Sequence, residues 1–220
     1  MKPRIYYCFD AYCGWCYAFS PVILKIAGEF ADRIEFEALS GGMIPETSAQ
    51  HIGKIASFIK QAYPRVEEMS GVRFGEDFLW HINNPDKSDW FPHSEKSAIA
   101  MVIFKEYFPD RSIEFASDLQ KSLNYEGRDL TDNEAYRHLL DKYGIPQDEF
   151  YQKLKAESYS EKAKYEFELV RQLRVTAFPA VLFQSGELKF HLLARGYTDH
   201  KTLVSRLEDV YADFSRNRLT

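Results

Sequence analysis

The chain has 220 residues, enough to bury a substantial core as one large domain or as a domain carrying an insertion. Its 45% hydrophobic and 28% charged residues are the balance of an ordinary soluble globular protein. A net charge of −5, with no Lys/Arg block and no basic patch interleaved with aromatics, argues against nucleic-acid binding, and no apolar run approaches the ~20 residues a bilayer core demands.

At the N-terminus Lys2 and Arg4 precede an apolar stretch, but Asp10 interrupts it and Tyr17-Ala18-Phe19 is a poor leader-peptidase site. Cleavage there would also remove Cys13 and Cys16, so the protein is expected to stay in the cytoplasm. Ile5-Tyr6-Tyr7-Cys8-Phe9 reads as a strand buried on both faces. After Cys13-Gly14-Trp15-Cys16, the apolar residues Val22, Ile23, Ile26, Ala27 and Phe30 fall at helical spacing, with Pro21 inside the pattern. Ile34-Glu35-Phe36-Glu37-Ala38-Leu39 alternates as a second strand does, which completes a βαβ unit.

Gly41-Gly42 ends that unit, and the next hundred or so residues show helical periodicity without a good strand. The clearest helix carries Ala98, Met101, Val102 and Phe104 behind Ser94 as N-cap. Further helices are expected around 115–123, 132–143, 147–156 and 160–174, while 81–92, with two prolines and two asparagines, reads as a loop. Ala180-Val181-Leu182-Phe183 and the run from Leu188 to Leu193 flank a short Gly-containing turn, the pattern of an antiparallel hairpin. Leu203, Leu207, Val210 and Phe214 mark a last amphipathic helix. The expected organisation is α/β, with residues 1–43 and 160–220 forming one domain and 44–159 an all-helical insertion.

Three cysteines cannot all pair internally, and a close pair in a cytosolic protein is catalytic or metal-binding more often than structural. A Cys-x-x-Cys spacing arises by chance in only ~3% of chains with this cysteine content, and here it follows a strand and opens a helix. Free N–H groups and the positive end of the helix dipole favour an anion at that place, so Cys13 is expected to attack a disulfide. Cys16, one turn further in, is expected to be more buried and to resolve the mixed disulfide. The alternatives are an inert buried pair or a metal site. Cys8, Cys13 and Cys16 match the C-x₄-C-x₂-C spacing of iron–sulfur proteins, but there is no fourth cysteine and no histidine close in sequence. Cys8 itself reads as a small buried hydrophobe.

Phe9-Asp10-Ala11-Tyr12-Cys13-Gly14-Trp15-Cys16 after a strand, with Pro21 five residues on, resembles the DsbA-like branch of the thioredoxin superfamily. Leu39-Ser40-Gly41-Gly42-Met43 and Arg174-Val175-Thr176-Ala177-Phe178-Pro179 extend the resemblance, more narrowly to cytoplasmic members related to polyketide-associated disulfide isomerases. It implies a thioredoxin-like fold with a large all-helical insertion, and a cis bond at Pro179 that leaves the Phe178 backbone free to pair with an extended substrate. It also implies that Gly14 and Trp15 tune the thiolate and keep the approach open. Two departures stand out: Phe178 is bulkier than the usual residue before the cis-proline, and Tyr7 stands where some relatives carry a buried acid proposed for proton transfer.

The resulting expectation is a protein-disulfide reductase or isomerase that needs no bound cofactor, with glutathione as a possible redox partner. Its substrates would be disulfide-containing proteins or small thiols, with no nucleic acid or membrane partner and an oligomeric state left open. Alternatives are a glutathione-dependent small-molecule isomerase of the same superfamily, for which a serine would be expected in place of Cys13, and a chaperone-like binding module. Trp80, His81, Trp90, Phe91 and His93 are weaker candidates for a substrate groove, set against simple helix packing. The acidic stretch 157–168 reads as a solvated helix face.

Overall fold

Strand β1 (Arg4–Phe9) is central because both of its faces are apolar. With a two-residue period, Ile5, Tyr7 and Phe9 enter one core and Cys8 enters the other. The computed structural model describes residues 2–216; Met1 and 217–220, the outermost parts of the expected first and last segments, lie outside the described residues. Helix α1 (Gly14–Phe30) buries Phe19, Ile23, Ile26 and Phe30, one stripe at helical spacing, and keeps Pro21 within it. β2 (Glu35–Ser40) then pairs parallel to β1, with Cys8 opposite Leu39.

Between β2 and the next strand the chain is helical: α2 (Gly53–Ser70), α3 (Glu76–Asn83), α4 (Glu95–Tyr107), α5 (Ser112–Asn124), α6 (Arg137–Tyr143), α7 (Gln147–Leu154) and α8 (Glu157–Gln172). α4 is its centre, buried without a break from Ser97 to Phe104, as a helix apolar on all sides must be. Phe104 stacks on Phe115 of α5 with centroids 4.1 Å apart and meets the edge of Tyr143. These rings and the β1–α1 residues belong to one continuous hydrophobic core.

β3 (Ala180–Gly186) returns antiparallel to β1, and β4 (Lys189–Arg195) pairs with β3, giving the order β2-β1-β3-β4. α9 (His200–Arg216) closes the fold by burying Leu203 and Leu207. This is the mixed α/β thioredoxin-like architecture expected, with its helical insertion between β2 and β3.

Four local expectations need correction. The stretch 81–92 is not all loop, since α3 runs through His81 to Asn83, held by its buried Phe78 and Ile82. The 132–143 segment is a short 3₁₀ turn over Asn133–Tyr136 followed by α6. Ser94 stands at the N-cap of α4, but its hydroxyl accepts the Ile44 N–H at 2.9 Å instead of capping the helix. The acidic stretch 157–168 is not wholly solvated. Glu166 is buried where α8 packs on the sheet edge, bonding Lys105 Nζ at 2.8 Å and accepting the Ser40 N–H at 3.0 Å. Its carboxylate thereby covers an otherwise open group of β2.

Candidate active site

α1 starts immediately after Cys13, and Cys13 is its N-cap: extended backbone, with Sγ accepting the N–H of Cys16 at 3.3 Å. A sulfur here does what a serine or aspartate oxygen usually does, satisfying a donor that the helix leaves free. The Cys13 thiol also points at the Phe178 carbonyl, 3.7 Å away. Cys13 is 7% exposed and Cys16 is 0% exposed, and both are free thiols. Cys13 is thus nearly closed to solvent, with the Phe178 carbonyl beside its sulfur. Burial pushes the Cys16 thiol well above the usual range, and its hydrogen bond to Cys13 adds to the shift. One thiol thus sits at the helix mouth, its sulfur held by the N–H of the other cysteine, whose own thiol is enclosed behind it.

Polar groups surround the pair. The Asp10 carboxylate accepts the N–H of Tyr12 at 3.0 Å and that of Met43 at 2.7 Å, and its main-chain carbonyl accepts the Cys13 N–H at 3.2 Å. Burial raises the Asp10 carboxyl, against the pull of those donors. Tyr7, fully buried, gives its hydroxyl to the Cys16 carbonyl at 3.4 Å. Burial holds the proton on that phenol, so Tyr7 supplies a hydrogen bond where an acid would supply a proton acceptor.

The Phe178–Pro179 bond is cis. The Phe178 ring lies over Gly41, where a Cβ would come within 2.1 Å of Phe178 Cζ. Gly42 has φ +64°, a conformation that favours glycine, and sits under the ring of Phe167. Glycines at the end of β2 therefore let two aromatic rings close down. Beside them runs a groove of about 550 Å³, lined by Met43, Phe167, Val175 and Phe178 with Lys164 and Arg171 at its walls.

A family model described as thioredoxin matches residues 6–205. The chain belongs to the thioredoxin family. Among solved structures this thioredoxin-family chain is similar to a candidate protein disulfide isomerase from Nitrosomonas europaea, with TM-score 0.82, 21% identity, and coverage of 97% of this chain and 99% of that one. It is also similar to the cytosolic disulfide reductase DsbM from Pseudomonas aeruginosa solved with glutathione, with TM-score 0.67, 21% identity, and coverage of 87% and 89%. A 2-hydroxychromene-2-carboxylate isomerase matches with TM-score 0.63 and 12% identity over 98% of each chain. At these identities the likeness is one of fold. No curated protein matches the chain by sequence.

Within this thioredoxin-family site, Trp15 lies against Tyr197 with centroids 6.1 Å apart, and Gly14 lies beside the Phe74 ring. Cys8 does not join the pair, because its side chain enters the opposite core. Among the described residues no three His, Cys, Asp or Glu side chains come together as a metal-ligating group, and no helix is long and apolar enough to cross a membrane. His81 stacks on Trp90 at 3.8 Å, and Trp90 packs on Phe78, so these rings serve helix packing. Trp80 and Phe91 remain exposed, and none of these rings or His93 lines the groove beside Phe178. Sequence reasoning passed over Asp10 and Gln120. Each carried a signal: an acid in an otherwise apolar strand–helix junction, and a glutamine four residues after Ala116 on the buried face of α5.

Proposed function

We propose that the protein is a thiol–disulfide oxidoreductase in which Cys13 is the nucleophile and Cys16 the resolving thiol. The observation that carries this is a thiol at a helix mouth, its sulfur bonded at 3.3 Å to the N–H of a second cysteine whose thiol is enclosed one turn behind it. The Cys13 thiolate attacks one sulfur of a substrate disulfide; that S–S bond breaks and the second substrate sulfur leaves, taking up a proton. Cys16 then loses its proton and attacks Cys13 Sγ, expelling the first substrate sulfur as a thiol. Two electrons have passed to the substrate, and the protein holds a Cys13–Cys16 disulfide. Two thiols of a small-molecule pool, glutathione being the candidate, return it to the dithiol.

In this reading the Phe178–Pro179 backbone supports the substrate chain, and Gly14 and Trp15 shape the approach to Cys13. A cytoplasmic setting, where the glutathione pool is reducing, favours reductase or isomerase over oxidase action on protein disulfides or small thiols. The likeness to DsbM, a cytosolic disulfide reductase, supports this direction. The test is equilibration of the pair against defined ratios of reduced and oxidised glutathione. A reversible two-electron couple that disappears in Cys13→Ser is the expected result. Absence of a couple in the wild type overturns the reading and leaves a binding module or a small-molecule isomerase.

A further inference from the structure

Gln120 belongs to the helical insertion, yet its side chain ends beneath the cysteine pair, and it is 0% exposed. Its Oε1 takes the hydroxyl proton of Ser20, four residues after Cys16, and its Nε2 donates to the Asp10 carbonyl at 3.4 Å, three residues before Cys13. The buried Tyr7 gives its hydroxyl to the Cys16 carbonyl. Ser20 lies 3.3 Å from that carbonyl as well, but a hydroxyl has one proton, and the shorter contact to Gln120 takes it. One buried amide thus holds both flanks of the motif. The carbonyl it holds on Asp10 is the one that closes the turn onto the Cys13 N–H.

Resting on the oxidoreductase reading, we propose that Gln120 is a positioning residue through which the insertion sets the balance between the dithiol and disulfide forms. Closing the Cys13–Cys16 bond moves two sulfurs held by the Asp10–Ser20 segment. The relative stability of the two forms therefore depends on how firmly that segment is fixed. A buried amide with satisfied neighbours is also a stabilising element in its own right, so the measurement must separate position from stability.

The experiment compares Gln120→Leu, Ser20→Ala and, as a stability control, Leu140→Ala, a cavity in α6. For each, the equilibrium constant of disulfide plus two glutathione against dithiol plus oxidised glutathione is measured beside thermal unfolding. The expected result is a change of tenfold or more for Gln120→Leu, about 30 mV for a two-electron couple. A smaller change in the same direction is expected for Ser20→Ala, with none for Leu140→Ala despite its lower unfolding temperature. If Gln120→Leu does not fold, Ser20→Ala carries the test alone. Equilibrium constants within twofold of wild type for the folded variants would reduce Gln120 to a structural role. A wild-type chain without any reversible couple would instead remove the oxidoreductase reading, and this proposal with it.

Discussion

On one side of the sheet Cys8 lies among Leu39, Val170, Ala180 and Leu182; on the other, Cys13 and Cys16 lie in the core that also holds Tyr7, Phe9 and Phe19. Cys8 and Cys16 are equally closed to solvent, and burial pushes both thiols up, Cys8 to about 12. Their neighbours differ. Around Cys8 the packing is apolar, with Glu166 and Lys105 acting through their charge. Cys16 bonds the sulfur of a second cysteine through its own N–H, with Tyr7 and Ser20 at its carbonyl. Burial alone keeps a proton on sulfur; a buried thiol needs a second cysteine beside it before it can resolve a mixed disulfide.

The largest expected effect breaks the comparison open. Cys13→Ser should reduce disulfide exchange to the uncatalysed background in an assay with a small aromatic disulfide, because the other two thiols, Cys8 and Cys16, are closed to solvent. Cys8→Ala should leave the rate within about twofold, its loss being one of packing. A Cys8 variant that lost exchange would show that the two faces are coupled.

The next effect concerns the helix that covers the Cys8 side. Glu166→Leu leaves the Ser40 N–H without its acceptor and Lys105 with Glu37 alone, at 3.3 Å. Urea unfolding should report a loss of about 2–3 kcal/mol, below the full cost of breaking a buried pair because Glu37 remains. The double variant Lys105→Met/Glu166→Leu should recover part of it. An unchanged midpoint for Glu166→Leu would mean that α8 is held by its apolar contacts alone.

Gly41→Ala is the third, placed where the sheet ends beside the Cys13 opening. A methyl group there collides with the Phe178 ring, and overpacking of this kind costs about 1–2 kcal/mol. In a Phe178→Ala background the cost should nearly vanish, giving a coupling energy on the order of 1 kcal/mol in the double-mutant cycle. Additive losses would place the strain elsewhere.

The smallest effect is a pH dependence. The folded-state value of Cys8, about 12, lies above its ordinary value of 9.0. Its contribution to stability is therefore fully present below pH 9 and is lost as pH rises toward 12. Cys8→Ala lacks this loss, so the stability gap between wild type and variant should narrow by about 1 kcal/mol between pH 7 and pH 10. A constant gap would show that Cys8 ionises in the folded protein much as it does in the unfolded chain.

The features legible in the sequence were local ones. The strand before Cys13, the helix after it and the hairpin beyond Pro179 each declare themselves within a dozen residues through apolar period and turn chemistry. Glu166 and Gln120 do not, because what they do is decided by partners far along the chain: Ser40 is 126 residues from Glu166, and Ser20 is 100 residues from Gln120. An acidic residue on an amphipathic helix looks solvated until the edge it covers is known. Ser94 was recognisable at a helix start, but the competing claim of the Ile44 N–H on its hydroxyl was not. In the 132–143 segment the Tyr136 hydroxyl is tied to the Leu130 carbonyl only six residues back, at 2.6 Å, a side-chain bond that helical periodicity does not announce.

The position of β3 has a consequence for how the chain is made. β1 and β2 leave the ribosome close together, but the other flank of β1 pairs with Ala180–Gly186, so it waits for about 140 further residues, on the order of ten seconds of synthesis. Throughout that interval the nascent protein carries an apolar strand with one row of amides and carbonyls unclaimed, the kind of edge on which chains aggregate. Trigger-type chaperones that shield nascent strands should therefore matter more to the yield of this protein than to that of a fold whose sheet is completed by neighbouring hairpins.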